Sequence, residues 1–441
     1  MSPAWSDEAI WWHVYPLGFT GAPPTSAGAA GHRLRRLEPW LGHAADLGCT
    51  GVMLGPIFAS ETHGYDTVDH FAIDPRLGDD ADFDALVARA REHGLRIALD
   101  GVFNHVGRSF TGDAGWLRRQ PGAADYDTFE GHERLVALDH AQEAVQDYVA
   151  SVLGHWLDRG ADGWRLDAAY AVPAEFWRQV LPRVRARHPQ AWFAGEVIHG
   201  DYAGYVARST LDSVTQYELW KAIWSSLNDR NLYELAHALG RHDDLLATFA
   251  PLTFVGNHDV TRIASRLDDH RHLGHALAVL FTVGGVPSVY YGDELGLEGV
   301  KEEREGGDDA IRPAFPPTPA DLPAAPATST GLSAAPAHFE MPADGRDVFA
   351  LYQRLIGLRR RHPWLARART SVTHLANRTA ALRTDAGGDR AVLTLLNLDD
   401  EPWRCPADIT HATLAEAGDS GEGDPAVVPA HGWRILIDKP A

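Results

Sequence analysis

The segment AVQDYVASVLGHWLDRGADGWRLDAAY, residues 144–170, decides the fold. Its first half carries apolar residues at the three- and four-residue spacing of an amphipathic helix, and Gly160 follows that helix as a stop signal. Its second half, Gly163–Asp167, is typical of a short buried strand that ends in charged residues. A helix that leads through a short turn into a buried strand is the repeating unit of α/β proteins with a parallel sheet.

The same alternation runs from the start of the chain to about residue 362. Eight apolar runs rich in β-branched and aromatic residues are strand candidates: Ile10–Pro16, Gly51–Gly55, Arg96–Val102, Gly163–Asp167, Trp192–Val197, Ser213–Glu218, Leu252–Gly256 and Ser288–Tyr291. Eight strands that alternate with helices predict an α/β protein with a (β/α)8 TIM barrel. An open doubly wound sheet is the alternative, but no glycine-rich phosphate loop follows an early strand.

The predicted barrel is divided into residues 1–102 and 139–364, with a short inserted segment, residues 103–138, after the third strand. Residues 301–343 form a second long loop that begins with the charged run KEEREGGDD. A loop of that length without structure of its own is usually functional or disordered. The remaining residues, 365–441, contain short strand candidates and predict a small C-terminal all-β domain.

Composition excludes several classes of protein. The 441 residues carry a formal charge of −20, which argues against nucleic acid or an anionic membrane as a partner. Only two cysteines, Cys49 and Cys405, are present, so we expect no disulfide framework and a reducing compartment. The N-terminus lacks the pattern of a signal peptide, and the longest apolar stretch, from Ala276, is broken by glycines and a proline. We therefore expect a cytoplasmic protein; the oligomeric state is left open.

Four short polar motifs follow predicted strands, where a barrel builds its active site. They are DGVFNH (Asp100–His105), GWRLDAA (Gly163–Ala169), GEV (Gly195–Val197) and FVGNHD (Phe254–Asp259).

Three residues of these motifs suggest a reaction. Side chains alternate along a strand, so Arg165 and Asp167 lie on one face, and the guanidinium keeps the carboxylate ionised and oriented. Glu196 ends the next strand, so its carboxyl group can face that of Asp167 across one substrate bond. Retaining glycosidases use such a pair. We predict Asp167 as the nucleophile and Glu196 as the general acid/base; a lone carboxylate at a strand end is otherwise usually a cap or a salt-bridge partner.

Together with HGYDTVDHFAIDPRLG (His63–Gly78) and GGVPSVYYGDELG (Gly284–Gly296), these motifs resemble the α-amylase family, glycoside hydrolase family 13, in their order along the chain. The resemblance implies a retaining hydrolase of short α-1,4-linked gluco-oligosaccharides that forms a covalent glucosyl-enzyme. It also implies that Asp259 is a third catalytic carboxylate, which stabilises the transition state.

The resemblance further implies a set of substrate-binding residues: Tyr65, Asp100, His105, Arg165, His258 and Arg312. Tyr65 would stack on the sugar, with core packing as the alternative. Arg312, in the segment DAIRPAFP, would reach the rim of the cleft. Trp11, Trp12, Trp116 and Trp164 could be sugar platforms, but we expect core or rim packing for them.

The motif style is closest to the group of maltogenic amylases, cyclomaltodextrinases and neopullulanases. Ala168 resembles α-1,4-acting members of the family. The barrel begins near residue 9, so the N-terminal β domain usual in that group is expected to be lacking. The covalent intermediate could also pass to a sugar, so a transglycosidase or isomerase, of the glucanotransferase or trehalose synthase type, is the alternative function. A non-catalytic barrel used for binding is a further alternative.

No cofactor is expected. Many relatives bind calcium through an asparagine, an aspartate and a histidine, and this chain has Asn104 and Asp139 for the first two. The third position is Ala171, which offers only its backbone carbonyl. Calcium prefers about 6–8 oxygen ligands, so a bound calcium ion is doubtful and no metal ligand is predicted.

Overall fold

The computed structural model describes residues 2–25, 30–120, 122, 125–304, 306–322, 339, 341–388, 390–406, 412–419 and 421–438. Much of the predicted long loop, residues 323–338 and 340 of the range 301–343, therefore lies outside the described residues. The chain divides into two compact units. One contains Met1–Ser6, Trp11–Thr215 and Arg312–Glu340, and the other contains Asp7–Ile10, Gln216–Ile311 and Met341–Ala441.

Eight parallel strands, β1 to β8, form the barrel: Trp11–Val14, Gly51–Leu54, Arg96–Val102, Gly163–Asp167, Trp192–Gly195, Ser213–Val214, Leu252–Phe254 and Val286–Tyr290. In the first unit β1 to β6 are hydrogen-bonded neighbours in chain order. In the second unit β7 pairs with β8 in parallel. The predicted (β/α)8 barrel is confirmed.

Eleven α-helices, α1 to α11, occur in the described residues: Pro16–Phe19, Glu38–Leu47, Asp80–Glu92, Glu143–Asp158, Ala174–Arg185, Tyr202–Ser209, Tyr217–Asn228, Tyr233–Leu246, Ile263–Arg266, Leu273–Thr282 and Gly345–Arg361. The apolar stripe predicted for α4 is buried, with Val145, Val149, Val152 and Trp156 inaccessible to solvent. Gly160 has φ +108°, a left-handed conformation that ends helices and favours glycine.

Some predicted bounds are wrong because a helix starts earlier than the sequence indicates. The predicted strand Ser213–Glu218 stops at Val214, and Tyr217 already begins α7. The side chain of Gln216 accepts a hydrogen bond from the Leu219 N–H, so it caps the helix where the alternating pattern suggested a longer strand. The predicted strand Ile10–Pro16 likewise ends at Val14, because Pro16 occupies the first position of α1, where proline is well tolerated.

Residues 103–138 have a small sheet of their own. Its strands are His105–Gly107, Thr128–Phe129 and His132–Ala137, and the last lies in the middle with both pairings antiparallel. Trp116 packs on Tyr148 of α4, with 4.9 Å between ring centroids. The inserted segment is therefore a short structured hairpin region rather than an open loop.

The C-terminal part of the second unit contains a five-stranded antiparallel sheet, in the order Arg369–Leu375, Thr379–Asp385, Ala391–Asn397, Trp433–Asp438 and Ala412–Ala417. The strand Ala391–Asn397 contacts α10: Asn397 O accepts a hydrogen bond from His275 Nε2 at 3.1 Å. Thr394 Oγ1 also donates to Thr282 Oγ1 at 2.8 Å. Buried polar pairs thus join the sheet to the helix.

Tryptophans fill much of the interior. Trp11, Trp12 and Trp164 are fully buried, and Trp11 stacks on Trp192 with 5.3 Å between ring centroids. Core packing is therefore their role, as expected, whereas Trp116 is partly exposed. Cys49 and Cys405 are both buried and are not joined by a disulfide bond. Among the residues that the structure describes, no helix combines the length and apolar character that crossing a membrane requires.

Buried histidines predict acid sensitivity. Burial lowers the histidine pKa to about 4 for His70, His242 and His272 and to about 3 for His105 and His275, whereas an unfolded histidine titrates near pH 6.5. Their neutral burial stabilises the fold above pH 6.5. Below it the unfolded chain takes up protons that the folded chain does not, and stability falls by about 1.4 kcal/mol per pH unit for each histidine.

Urea unfolding at pH 7.5, 6.5 and 5.5 measures this effect. At pH 5.5 the slope of the unfolding free energy against pH should correspond to the uptake of about four to five protons when the chain unfolds. The variant His242→Gln should take up about one proton fewer. Uptake of fewer than about two protons by the wild-type chain would contradict the prediction.

Candidate active site

Arg165 is the centre of a buried cluster of charges in the first unit. Its Nη1 atom lies 2.6 Å from Asp100 Oδ2 and 3.2 Å from Asp167 Oδ1. Its Nη2 atom lies 3.0 Å from Glu196 Oε1. One guanidinium therefore holds three carboxylates, including both of the predicted catalytic ones.

Strand register brings these side chains together. Asp100 on β3 is paired with Arg165 on β4, and Val102 is paired with Asp167. Because side chains alternate with a period of two, Arg165 and Asp167 point to the same face. On the other side, Leu166 is paired with the last residue of β5, so Glu196 follows one residue beyond the strand. The charged groups thus gather at the carboxyl ends of three adjacent strands.

A turn directly after Asp167 also orients Glu196. Ala168 has φ 44° and ψ 36°, a left-handed conformation that is uncommon for residues other than glycine. Its N–H group donates to Glu196 Oε2 at 2.9 Å, and the Glu196 N–H donates to Leu166 O at 2.9 Å. Side chain and backbone of Glu196 are both fixed by the segment that carries Asp167.

Electrostatics in the cluster favour a permanently charged arginine. Burial by itself would lower the pKa of Arg165, but the charges of Asp100, Glu196 and Asp167 outweigh it and raise that pKa well above its ordinary value. Removing the guanidinium would leave buried carboxylates without their cation, which costs about 3–5 kcal/mol for a buried ion pair.

Tyr65 and His105 lie in the same unit, at different positions around the cluster. The Tyr65 hydroxyl donates to Asp100 Oδ2 at 3.1 Å, so this side chain is joined to the charge cluster. The His105 ring stacks on Phe129 with 4.6 Å between centroids and 13° between planes. Its low pKa leaves His105 neutral at physiological pH.

Three residues that contact one another beside the turn after Asp167 were not predicted from the sequence: Phe129, Glu130 and Tyr170. The Tyr170 hydroxyl donates to Glu130 Oε1 at 2.7 Å, which joins the inserted segment to the turn after β4. Burial raises the pKa of Tyr170, and the charges of Glu130, Glu196 and Asp167 raise it further, so the phenol lies within the field of both catalytic candidates. The aromatic residue in the run DAAY, directly after Asp167, was the available signal.

Arg312 belongs to the first unit but has a different immediate neighbour. Its guanidinium lies over the ring of Tyr15, 4.6 Å from the centroid. Burial raises the pKa of Tyr15 to about 12, although Arg312 opposes this shift. The Tyr15 hydroxyl donates to His63 O at 2.7 Å, in the segment that carries Tyr65.

His258 and Asp259 lie in the second unit and pair with each other, with 3.0 Å between His258 Nε2 and Asp259 Oδ2. The Asp259 N–H donates to Asn257 Oδ1 at 2.9 Å, and Asn257 Nδ2 donates to the Tyr217 hydroxyl at 2.9 Å. Although His258 is buried, about a third of the Asp259 side chain, 32%, is exposed. The carboxylate is thus oriented by its neighbours and open to a ligand.

The residues at the family's calcium position do not fit a calcium site well. Asp139 Oδ1 accepts from the Ala141 N–H at 3.2 Å, and Asp139 Oδ2 accepts from Gln142 Nε2 at 2.9 Å. Asn104 Nδ2 is hydrogen-bonded to His105 Nδ1 at 3.1 Å, and Ala171 has no side-chain oxygen. Only two side chains with oxygen atoms, Asn104 and Asp139, are available at the predicted position, fewer than the six or more oxygens that calcium prefers.

A parallel barrel with an arginine-held pair of carboxylates at the ends of its strands has the arrangement that glycoside hydrolases use. The chain belongs to the α-amylase family: the family model described as alpha amylase, catalytic domain, matches residues 40–120 and 108–321.

Similar proteins agree with this assignment. A cyclomaltodextrinase of a Bacillus species is 29% identical over 406 residues, which cover 82% of this chain and 67% of that protein. An intracellular maltogenic amylase of Bacillus subtilis is 28% identical over 336 residues, 68% of this chain and 57% of that protein. The chain thus spans between about half and two thirds of the length of these relatives.

Solved structures share the fold. The ligand-free cyclic α-maltosyl-(1→6)-maltose hydrolase of Arthrobacter globiformis superimposes with a TM-score of 0.76 at 24% identity, and the match covers 99% of this chain and 100% of that one. An α-amylase from H. orenii gives a TM-score of 0.78 at 21% identity, covering 98% of this chain and 99% of that one.

Removal of divalent ions tests the calcium position. Because the donor set is incomplete, treatment with a strong chelator should leave the melting temperature and the rate of sugar cleavage unchanged. Asp139→Asn, which keeps the local hydrogen-bonding shape, should not alter the response to added calcium. A fall of many degrees that added calcium reverses, and that Asp139→Asn abolishes, would show that a structural calcium ion binds here.

Proposed function

We propose that the protein is a retaining α-glucosidic hydrolase that cleaves short α-1,4-linked gluco-oligosaccharides by double displacement. The proposal rests on two contacts of the Arg165 guanidinium, which lies 3.2 Å from Asp167 Oδ1 and 3.0 Å from Glu196 Oε1. Two carboxylates under one cation, at neighbouring strand ends, suit a reaction in which one carboxylate attacks and the other transfers a proton.

In the first step an oxygen of Asp167 bonds to the anomeric carbon while the bond to the leaving oxygen breaks. Glu196 gives its proton to that oxygen, which departs as a hydroxyl group. Asp167 thereby becomes a neutral ester and Glu196 becomes an anion. The negative charge moves from one partner of Arg165 to the other, so the guanidinium stabilises both states without moving.

In the second step Glu196 takes a proton from water, and the water oxygen attacks the same carbon. The ester bond breaks, Asp167 leaves as a carboxylate, and Glu196 is again protonated. We assign Asp259 to stabilise the positive charge of both transition states, with His258 fixing its orientation. Tyr65, Asp100, His105, Arg165, His258 and Arg312 are assigned to substrate binding.

The names of similar proteins support the proposed substrate class. Cyclomaltodextrinase and maltogenic amylase are the names of two relatives, and maltose-containing rings are the substrate named for the Arthrobacter hydrolase. We extend this chemistry to the present chain as malto-oligosaccharides. The name of the intracellular relative also supports a cytoplasmic site of action.

Two variants test the catalytic assignments. Asp167→Asn should retain less than about 1% of the wild-type rate because it lacks the nucleophile, with thermal unfolding nearly unchanged. Glu196→Gln should be similarly slow on maltotriose but partly rescued by a substrate with an activated leaving group, which needs no protonation. Asp158→Asn, on an exposed residue of α4, is the matched control. An Asp167→Asn variant with more than about 1% of the rate would contradict the assignment.

The anomer of the first product tests the double displacement. Two inversions restore the starting configuration, so proton NMR of early hydrolysis should show α-configured reducing ends. Product analysis with maltotriose, cyclodextrin, trehalose and sucrose should show hydrolysis of the α-1,4-linked sugars. A β-anomer formed first would exclude double displacement, and transfer or isomerised products in place of hydrolysis would favour the transglycosidase alternative.

A further inference from the structure

Arg262, three residues after Asp259, is fully buried in the second unit. Its Nη1 atom donates to Asp293 Oδ1 at 2.7 Å and to Tyr291 O at 2.9 Å. Its Nη2 atom donates to Ile311 O at 2.9 Å. A charged side chain is rarely buried unless it is paired; this one joins the end of β8 and the segment around residue 311 to the loop that follows β7.

The other end of that loop meets the same carboxylate. A methyl group at Gly256 would lie 2.2 Å from Asp293 Oδ2, so the backbone there packs directly against that oxygen. Asp293 Oδ2 is buried and has no hydrogen-bond partner. Both ends of the loop 256–262, which carries His258 and Asp259, therefore rest on Asp293: one by close packing and the other by an ion pair.

The surroundings of Asp293 are closed to solvent. Arg262 lies over the rings of Tyr290 and Tyr291, 4.7 and 5.4 Å from their centroids. Glu294 and Tyr352 are further titratable residues that interact electrostatically with Asp293. Burial raises the pKa of Asp293 to about 7, against the opposing charge of Arg262. At pH 8 the carboxylate is therefore mostly ionised, so that pH suits the assays below.

We propose that Asp293 and Arg262 are positioning residues that fix the loop 256–262 and thereby aim the Asp259 carboxylate at the reacting sugar. This inference rests on the role given to Asp259 in the proposed function. A loop that is fixed at only one end can rotate about that end, whereas anchorage of both ends on one buried carboxylate restricts the orientation of Asp259. Small displacements of a catalytic group reduce the rate strongly.

The first test is Asp293→Asn, assayed on maltotriose at pH 8 and well below its melting temperature. The substitution keeps the shape but removes the charge that holds Arg262. We expect kcat to fall at least tenfold while KM changes less than threefold, because a misaimed Asp259 loses transition-state stabilisation more than substrate binding. Arg262→Lys, which keeps a cation, should be less impaired than Arg262→Met.

Asp212→Asn is the matched control. Asp212 is buried, and its Oδ2 accepts from Arg185 Nη2 at 2.8 Å and from the Phe193 N–H at 2.9 Å. It precedes β6 and contacts the start of β5, which places it at the amino ends of the strands, away from the charge cluster around Arg165. Loss of this ion pair should lower the melting temperature but leave kcat within twofold of wild type. If Asp293 had only a structural role, Asp293→Asn would show the same result as this control: a lower melting temperature with kcat within twofold of wild type.

A double-mutant cycle tests whether Gly256 and Asp293 act through their contact. Gly256→Ala alone should lower kcat, because the new methyl group displaces the loop from Asp293 Oδ2. In an Asp293→Ala background that oxygen is gone, so the same substitution should change kcat by less than twofold. If the two substitutions acted independently, their effects on kcat would multiply instead. That result would show that Gly256 and Asp293 do not act through their contact. Circular dichroism checks that each variant is folded.

The outcomes separate the inference from the proposed function. If Asp259→Asn retains wild-type activity, the assignment of Asp259 to transition-state stabilisation is wrong. If Asp259→Asn is inactive but Asp293→Asn keeps wild-type kcat, Asp259 stands and the positioning role is wrong. A low kcat in Asp293→Asn, a normal kcat in Asp212→Asn and a non-multiplicative cycle together support the inference.

Discussion

The shared guanidinium of Arg165 is the interaction on which the site depends. Three carboxylates converge on it in the first unit, and such a gathering of like charges is tolerable in a buried place only with a cation among them. The barrel supplies this geometry directly, because Asp100 and Arg165 are paired across β3 and β4 and Glu196 follows the end of β5. The residues of the proposed active site are therefore brought together by the same strand pairings that form the barrel.

Much of the barrel could be predicted because each of its strands is a short apolar run between helices, although only two of the eight predicted strands agree at both ends. The bounds Arg96–Val102 and Gly163–Asp167 agree to the residue, since each is a buried run that starts beside a glycine or a charge. The run Ser213–Glu218 was mispredicted because its alternating residues suit either a strand or the first turn of an amphipathic helix. Only the capping contact of Gln216, which depends on the folded backbone, separates the two.

The candidate site, too, could be predicted only in part. Tyr65, Asp100, Arg165, Asp167 and Glu196 were predicted from motifs, and the structure joins them by hydrogen bonds and ion pairs, although their catalytic roles stay predictions. The bond between Glu130 and Tyr170 could not have been predicted, because it connects residues that are 40 positions apart and lie in different elements. Long-range contacts of this kind depend on how a loop folds back, which local patterns do not contain.

The C-terminal sheet covers buried polar groups of α10. His275 is fully buried, and its partner is the backbone carbonyl of Asn397. A chain cut after residue 364 would leave that imidazole and the Thr282 hydroxyl without the strand that covers them, along with the apolar surface beside them. Exposed apolar faces of this kind promote aggregation. The small β domain is therefore part of the second unit's core, and we expect a chain cut after residue 364 to aggregate when it is expressed.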